Sequence, residues 1–247
     1  MRTELAKIWH LRQKQLVMES SALTLHSPGF EPHYGGSGKK SAPYEDGIIA
    51  ACDMQDAIDE AVRVYVQSVE ADNREILEKT TGQRQRVLRL WTIAEKSVGD
   101  IATILGICEK TVDRRLSGIV QEKAYASKFE QMFFETRLMR VDAQIEEYIA
   151  YAYREVEDYV ECTYLEVEDL IAKHKAKAAE IMARHDKQAE AIKAAVAKLD
   201  KRDNYIVMAH LAAGKEWLDV AEELGLSESH VRRLYVKAIS GMSVVSA

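Results

Sequence analysis

Residues 217–239, WLDVAEELGLSESHVRRLYVKAI, place small, turn-forming and apolar side chains in the order a helix-turn-helix requires. Two short helices cross closely only where a small residue stands at the crossing. The turn between them needs a residue tolerant of left-handed backbone, and apolar residues at fixed places lock the second helix on the first. Counted from Trp217, slots four, five, eight, nine, ten, fifteen and eighteen hold Val220, Ala221, Leu224, Gly225, Leu226, Val231 and Leu234. Ser227 stands where it caps the second helix. That helix then turns Ser229, His230, Arg232, Arg233 and Lys237 outward, and adjacent arginines suit guanine edges and phosphates. A plain helical hairpin with a glycine turn accounts for Ala221 and Gly225 but not for the whole set of slots.

A second copy lies 119 residues earlier, VGDIATILGICEKTVDRRLSGIV at 98–120. Without gaps, Arg84–Val120 and Asp203–Ile239 share nine of 37 positions. Among the shared pairs are Ala102 and Ala221, Leu105 and Leu224, Gly106 and Gly225, Val112 and Val231, and Arg114 and Arg233. Most are framework residues, which points to internal duplication. The first copy departs at slot eighteen, where Arg115 replaces an apolar residue, and at Asp113, which stands where the second copy has Arg232. Its candidate contacts are Lys110, Thr111, Arg114 and Arg115, and a copy kept for packing alone is the alternative.

All three prolines and five of the twelve glycines fall between Ser27 and Gly47, which predicts a loop. Helical spacing before it at Leu5, Trp9, Leu16 and Leu23, and after it at Ile58, Val62, Tyr65, Val69 and Ile76, predicts a helical hairpin. Thr80-Thr81-Gly82 closes its second helix and admits a shorter one, Arg84 to Glu95. From Gly118 to Gly214 no glycine or proline intervenes, and a stripe runs from Ile145 through Ile149, Val156, Val160 and Val167 to Leu199. It fits either one long helix, whose stripe requires a partner helix and hence a homodimer, or a hairpin turning near His174. The expected organisation is a hairpin with the first helix-turn-helix over 1–120, a helical spacer over 121–198, and the second helix-turn-helix over 199–247.

The net charge of −6 argues at first against nucleic acid. Its distribution does not: Asp142–Asp169 holds ten acidic residues against the single Arg154, a local −9, which leaves the remainder about +3. The tyrosines there, Tyr148, Tyr151, Tyr153, Tyr159 and Tyr164, form either a partner surface or a covering for a neighbouring helix. No apolar run spans a membrane and the N-terminus lacks a signal-peptide pattern, so the expected location is the cytoplasm of a bacterial host cell. Cys52, Cys108 and Cys162 form no CxxC pair and read as small buried apolar residues.

Enzymatic motifs are missing: there is no glycine-rich phosphate loop, GxSxG or HExxH. His26, His33 and Cys52 match no familiar ligand spacing, and His174 and His185 stand too far apart on one helix face to chelate one ion. The expectation is a non-enzyme without metal or cofactor.

Leu199–Ile239, in which Leu199-Asp200-Lys201-Arg202 leads a short helix into the motif, resembles the C-terminal promoter-reading domain of bacterial sigma factors. The first 120 residues look like the phage-encoded ArpU-type late-gene regulators, with a helix, a Gly/Pro/Ser loop and a long helix before a sigma-like helix-turn-helix. The expected fold is all-α, with two sigma-like units joined by long helices. The resemblance implies double-stranded DNA binding at phage promoters, with the reading positions falling on Ser229, His230, Arg232 and Arg233. Two units in one chain depart from that family's usual single one. Two alternatives remain open: a small terminase subunit for DNA packaging, which also joins a helix-turn-helix to oligomerising helices, and a protein-interaction module acting on RNA polymerase.

Overall fold

The computed structural model describes residues 3–24, 43–119, 125, 127–161 and 163–242, and among them the chain is all-helical. The helices are α1 (Thr3–Thr24), α2 (Pro43–Lys79), α3 (Gly82–Thr92), α4 (Val98–Leu105), α5 (Glu109–Leu116), α6 (Lys128–Val160), α7 (Leu165–Val196), α8 (Lys201–Leu211), α9 (Trp217–Leu224) and α10 (Glu228–Ser240). Two compact units result, neither contiguous in sequence: Met1–Ser97 with Tyr148–His174, and Val98–Glu147 with Lys175–Ala247. They do not follow the linear partition drawn from the sequence, because α6 and α7 each contribute one part to each unit.

In the first unit α1 and α2 pack along each other. The α2 residues expected to face inward, Ile58, Val62, Tyr65, Val69 and Ile76, are all buried. On α1 the expected stripe is wrong: Leu5 is buried, but Trp9 and Leu16 are exposed and Leu23 lies outside the described side chains. The inward face runs instead through Leu5, Ile8 and Gln15, and Gln15, only 4% exposed, donates to Gln55 Oε1 at 2.9 Å. A polar residue on that face was invisible to a pattern built on apolar spacing. The loop also ends earlier than expected, since Pro43–Gly47 already belong to α2, whose first turn has no intrahelical use for the N–H that proline lacks.

The long spacer turns back between the end of α6 and the start of α7, where Glu161 takes a left-handed φ of 53°. The turn expected near His174 is therefore displaced by about three helical turns, and His174 is buried inside α7. Within the second unit α6 and α7 run antiparallel, as the Thr136–Gln188 hydrogen bond and the Lys177–Glu146 ion pair at 2.9 Å require. Ile145, Ile149, Val156, Val160 and Val167 are buried within the single chain, so the stripe itself no longer calls for a partner helix.

Most of the tyrosines act as coverings for neighbouring helices in the first unit. Tyr153 donates to Glu70 at 2.7 Å, Tyr164 to Asp59 at 2.9 Å, and Lys96 lies over the Tyr148 ring. Tyr151 stays largely exposed. No helix among the described residues is long and apolar enough to cross a membrane.

Two outcomes follow from this packing. Ile58→Ala should lower the urea-unfolding free energy by about 2–5 kcal/mol, while Ile49→Ala on the exposed side of the same helix should stay within about 0.5 kcal/mol. Burial alone pushes the Glu70 carboxyl up, but the Tyr153 hydroxyl, Lys173 and His174 outweigh it and hold the group below its ordinary value. A depressed carboxyl stabilises the fold above the ordinary carboxylate range and loses that contribution as pH falls through its folded value. The stability gap between wild type and Tyr153→Phe should therefore be present at neutral pH and narrow as pH falls below the ordinary carboxylate range, measured by urea midpoints across pH.

Candidate nucleic-acid interface

The last three helices all belong to the second unit and pack on one another. Asp200 caps α8 by accepting from the Asp203 N–H at 2.8 Å, which satisfies a backbone donor that the first turn leaves open. Ile206, Val207 and Leu211 on α8 join Val220 and Ala221 on α9 and Val231, Tyr235 and Ile239 on α10 in one buried cluster. Gly225 ends α9 at φ 62°, ψ 34°, and the next N–H, of Leu226, returns to the Ala221 carbonyl at 2.9 Å. Ser227 takes the extended backbone of an N-cap, as expected, but its hydroxyl makes no cap hydrogen bond.

Helical rotation then fixes what α10 shows to solvent. At ~100° per residue, Arg233 stands opposite the buried line of Val231, Tyr235 and Ala238, with Ser229, Val236 and Lys237 beside it and His230 and Arg232 on the two flanks. All six of these outward positions are exposed, while Val231, Tyr235 and Ala238 line the core. Arg232 leans toward α9, pairing with Glu228 at 2.5 Å, and its guanidinium lies 5.9 Å from the Trp217 ring centre. Trp217 in turn stacks on His210 at 3.6 Å and meets the edge of Tyr235. The two arginines are therefore not equivalent: one is held by neighbours, the other extends from the centre of the exposed face. Val236, 49% exposed, was missed by the sequence reading although it lies three residues beyond Arg233, a spacing that alone places it on the same face.

The duplication extends to the backbone. Under the same shift of 119 residues, the bounds of α3 fall on those of α8, and the bounds of α4 on those of α9. Gly106 and Gly225 share a φ of 62°, while Glu95 at 49° answers Gly214 at 66°. Ile107 N–H to Ala102 O at 3.0 Å repeats Leu226 to Ala221 at 2.9 Å, and Lys96 to Leu90 at 3.0 Å repeats Lys215 to Ala209 at 2.9 Å.

The side chains of the first copy diverge. Lys110 and Arg114 are exposed, but Thr111 is partly buried with its hydroxyl 3.1 Å from the Cys108 sulfur. Arg115 is drawn inward: it is half-buried, one terminal nitrogen has no hydrogen-bond partner, and burial lowers its pKa. That is the position where the second copy has Leu234, so the framework slot pulls in whatever occupies it. Moreover, α3 falls in the first unit, packed on α2, while α4 and α5 fall in the second.

The cysteine expectation fails as well. Cys52 and Cys108 are exposed, and Cys162 lies outside the described residues. Cys52 sits on the outer side of α2, and Cys108 takes the cap position that Ser227 takes in the other copy, where a side chain faces solvent. His26 and His33 also lie outside the described residues, and among the rest no group of three or more His, Cys, Asp or Glu is placed to hold a metal ion.

No family model, curated protein or solved structure matches the chain.

A Cβ at Gly225 or Gly106 would meet nothing within 4 Å, so the whole cost of adding one is backbone strain at positive φ. Gly225→Ala and Gly106→Ala should each destabilise by about 1–2 kcal/mol in thermal or urea unfolding. Equal penalties at the two sites are expected from their equal backbone angles, and Asn at either should cost less than Ala.

Proposed function

We propose that this chain is a sequence-specific double-stranded DNA-binding regulator of transcription, with α10 entering the major groove. The observation that carries this reading is the position of Arg233 at the centre of the exposed face of a helix braced by a packed pair behind it. A second arginine, Arg114, is the exposed cation retained at the matching place in the duplicate. A guanidinium so placed reaches both guanine acceptors in the major groove, which gives direct readout. Val236 beside it offers an apolar contact to a thymine methyl. Arg232, tied to Glu228 and the Trp217 ring at the flank, suits a phosphate, with Lys237, Ser229 and His230 as the other backbone contacts.

From Ser227 to Ser240 there are three cations and one carboxylate, so affinity rests on few phosphates and falls only moderately with salt. The resemblance to sigma-like phage regulators supports the same reading. The packaging and polymerase-binding alternatives gain no observation of their own, because most of the acidic helix's tyrosines are engaged within the chain.

Duplexes selected from a random or phage-genomic library supply the operator for the test. Arg233→Ala should cost about 1–3 kcal/mol of specific binding and relax preference at one base position, read by fluorescence anisotropy against single-base variants. Arg232→Ala should weaken all sequences alike and reduce the salt slope by about one, and the double variant should combine that uniform, salt-dependent loss with the about 1–3 kcal/mol of specific binding lost at Arg233. Recovery of no preferred duplex, or unchanged affinity in the double variant, would remove the proposal.

A further inference from the structure

Between α6, α7 and α8, wholly inside the second unit, lies a cavity of about 420 Å³. It opens to solvent: the buried Ile192 and Val196 make its floor, half-buried Phe133 and exposed Met208 its apolar walls, and Ala189 and Ala197 add only small side chains to the lining. Volumes of this order hold small organic ligands. The lip has the opposite character. Arg137 and Arg140, one turn apart on α6, and Lys193 and His185 on α7 line it, and no carboxylate does.

These cations are not equally engaged. Lys193 pairs with Glu190 at 2.6 Å and His185 with Asp186 at 2.9 Å, whereas Arg137 and Arg140 are exposed and carry no ion pair among the described residues. The polar groups deeper in the wall are already satisfied: Thr136 bonds to the Met132 carbonyl and to Gln188, and the Asn204 amide donates to the Val196 carbonyl. What the cavity lacks is therefore an apolar body, and what its lip lacks is an anion.

We infer that this cavity is a binding site for a small amphipathic organic anion, whose acyl or aryl body fills the apolar interior while its acidic head pairs with Arg137 and Arg140. Two guanidiniums one turn apart present several donors to one carboxylate, sulfonate or phosphate, and such charge-assisted bonds are the strong ones. A hydrocarbon body without the charge would leave the arginines solvated and gain only the apolar share. A cationic head would meet repulsion from the lip. The site stands apart from the DNA reading, since none of its residues lies on α10.

The test uses the full chain and sodium decanoate, held below its micellar range, in isothermal titration. Saturable one-to-one binding is expected, with 1-decanol and decyltrimethylammonium at least about tenfold weaker. Arg137→Gln with Arg140→Gln, changes at exposed positions that the fold does not depend on, should weaken decanoate by about tenfold or more. Ala189→Trp, which fills the interior, should abolish binding, with circular dichroism confirming that both variants keep their helix content. Decanoate binding that is unsaturable, matched by the alcohol or the cation, or indifferent to the arginine pair would overturn the proposal. So would a concentration-dependent dimer in sedimentation that Ala189→Trp disrupts, because the occupant would then be a second copy of the chain.

Discussion

Burial of Val231, Tyr235, Ala238 and Ile239 along one side of α10 fixes the rotation of that helix, and the rest of the candidate interface depends on it. Once those four face Val220, Ala221 and the inner side of α8, Arg233 has no direction left but outward. Burying apolar area supplies the driving force, at about 25 cal/mol per Å². The left-handed Gly225 makes the reversal between α9 and α10 possible without strain, so the two helices can share that core at all. Tyr235 adds a large ring to the cluster at the expense of a buried hydroxyl that has no hydrogen-bond partner, and burial pushes its pKa up.

The two copies show how a backbone can persist while its surface residues change. Turn hydrogen bonds and left-handed positions recur nearly unchanged because they depend on main-chain geometry and a few small or apolar residues. Outward positions carry no such constraint, and there Asp113 faces solvent where the other copy has Arg232. Slot eighteen is intermediate. Its geometry draws the side chain in, so an arginine there loses exposure that the residue type by itself would suggest. The leading helix has diverged further, since α3 packs on α2 whereas α8 packs on its own α9 and α10.

In the first unit, polar side chains do work that the apolar stripe does not. Gln15 meets Gln55, Arg89 donates to Asn73, and the Tyr65 hydroxyl donates to the Ala152 carbonyl, each pair linking two different helices. Such bonds contribute modestly to stability one by one, but a helix that slips along its neighbour leaves each of these buried groups unsatisfied, and that is costly. Register between long helices, which apolar contacts specify loosely, is set by these pairs. At the end of α6, Glu157 accepts from the Tyr164 N–H just ahead of α7.

The sequence by itself determined the helical class, the positions of the second motif's turn and buried slots, and the duplication, because each depends on local backbone preference or on side-chain spacing within one helix. Leu224-Gly225-Leu226 announces its reversal whatever surrounds it. Tertiary structure alone decided where the long spacer folds back, since neither proline nor glycine marks 161–164 and only packing could choose among many equivalent helical turns. It alone turned α1 onto a face containing Gln15, left Cys52 and Cys108 exposed, drew Arg115 inward, and gave Arg232 neighbours that Arg233 lacks. Those outcomes depend on which neighbour each side chain meets across the fold, and contacts between residues distant in the chain leave no period in its order.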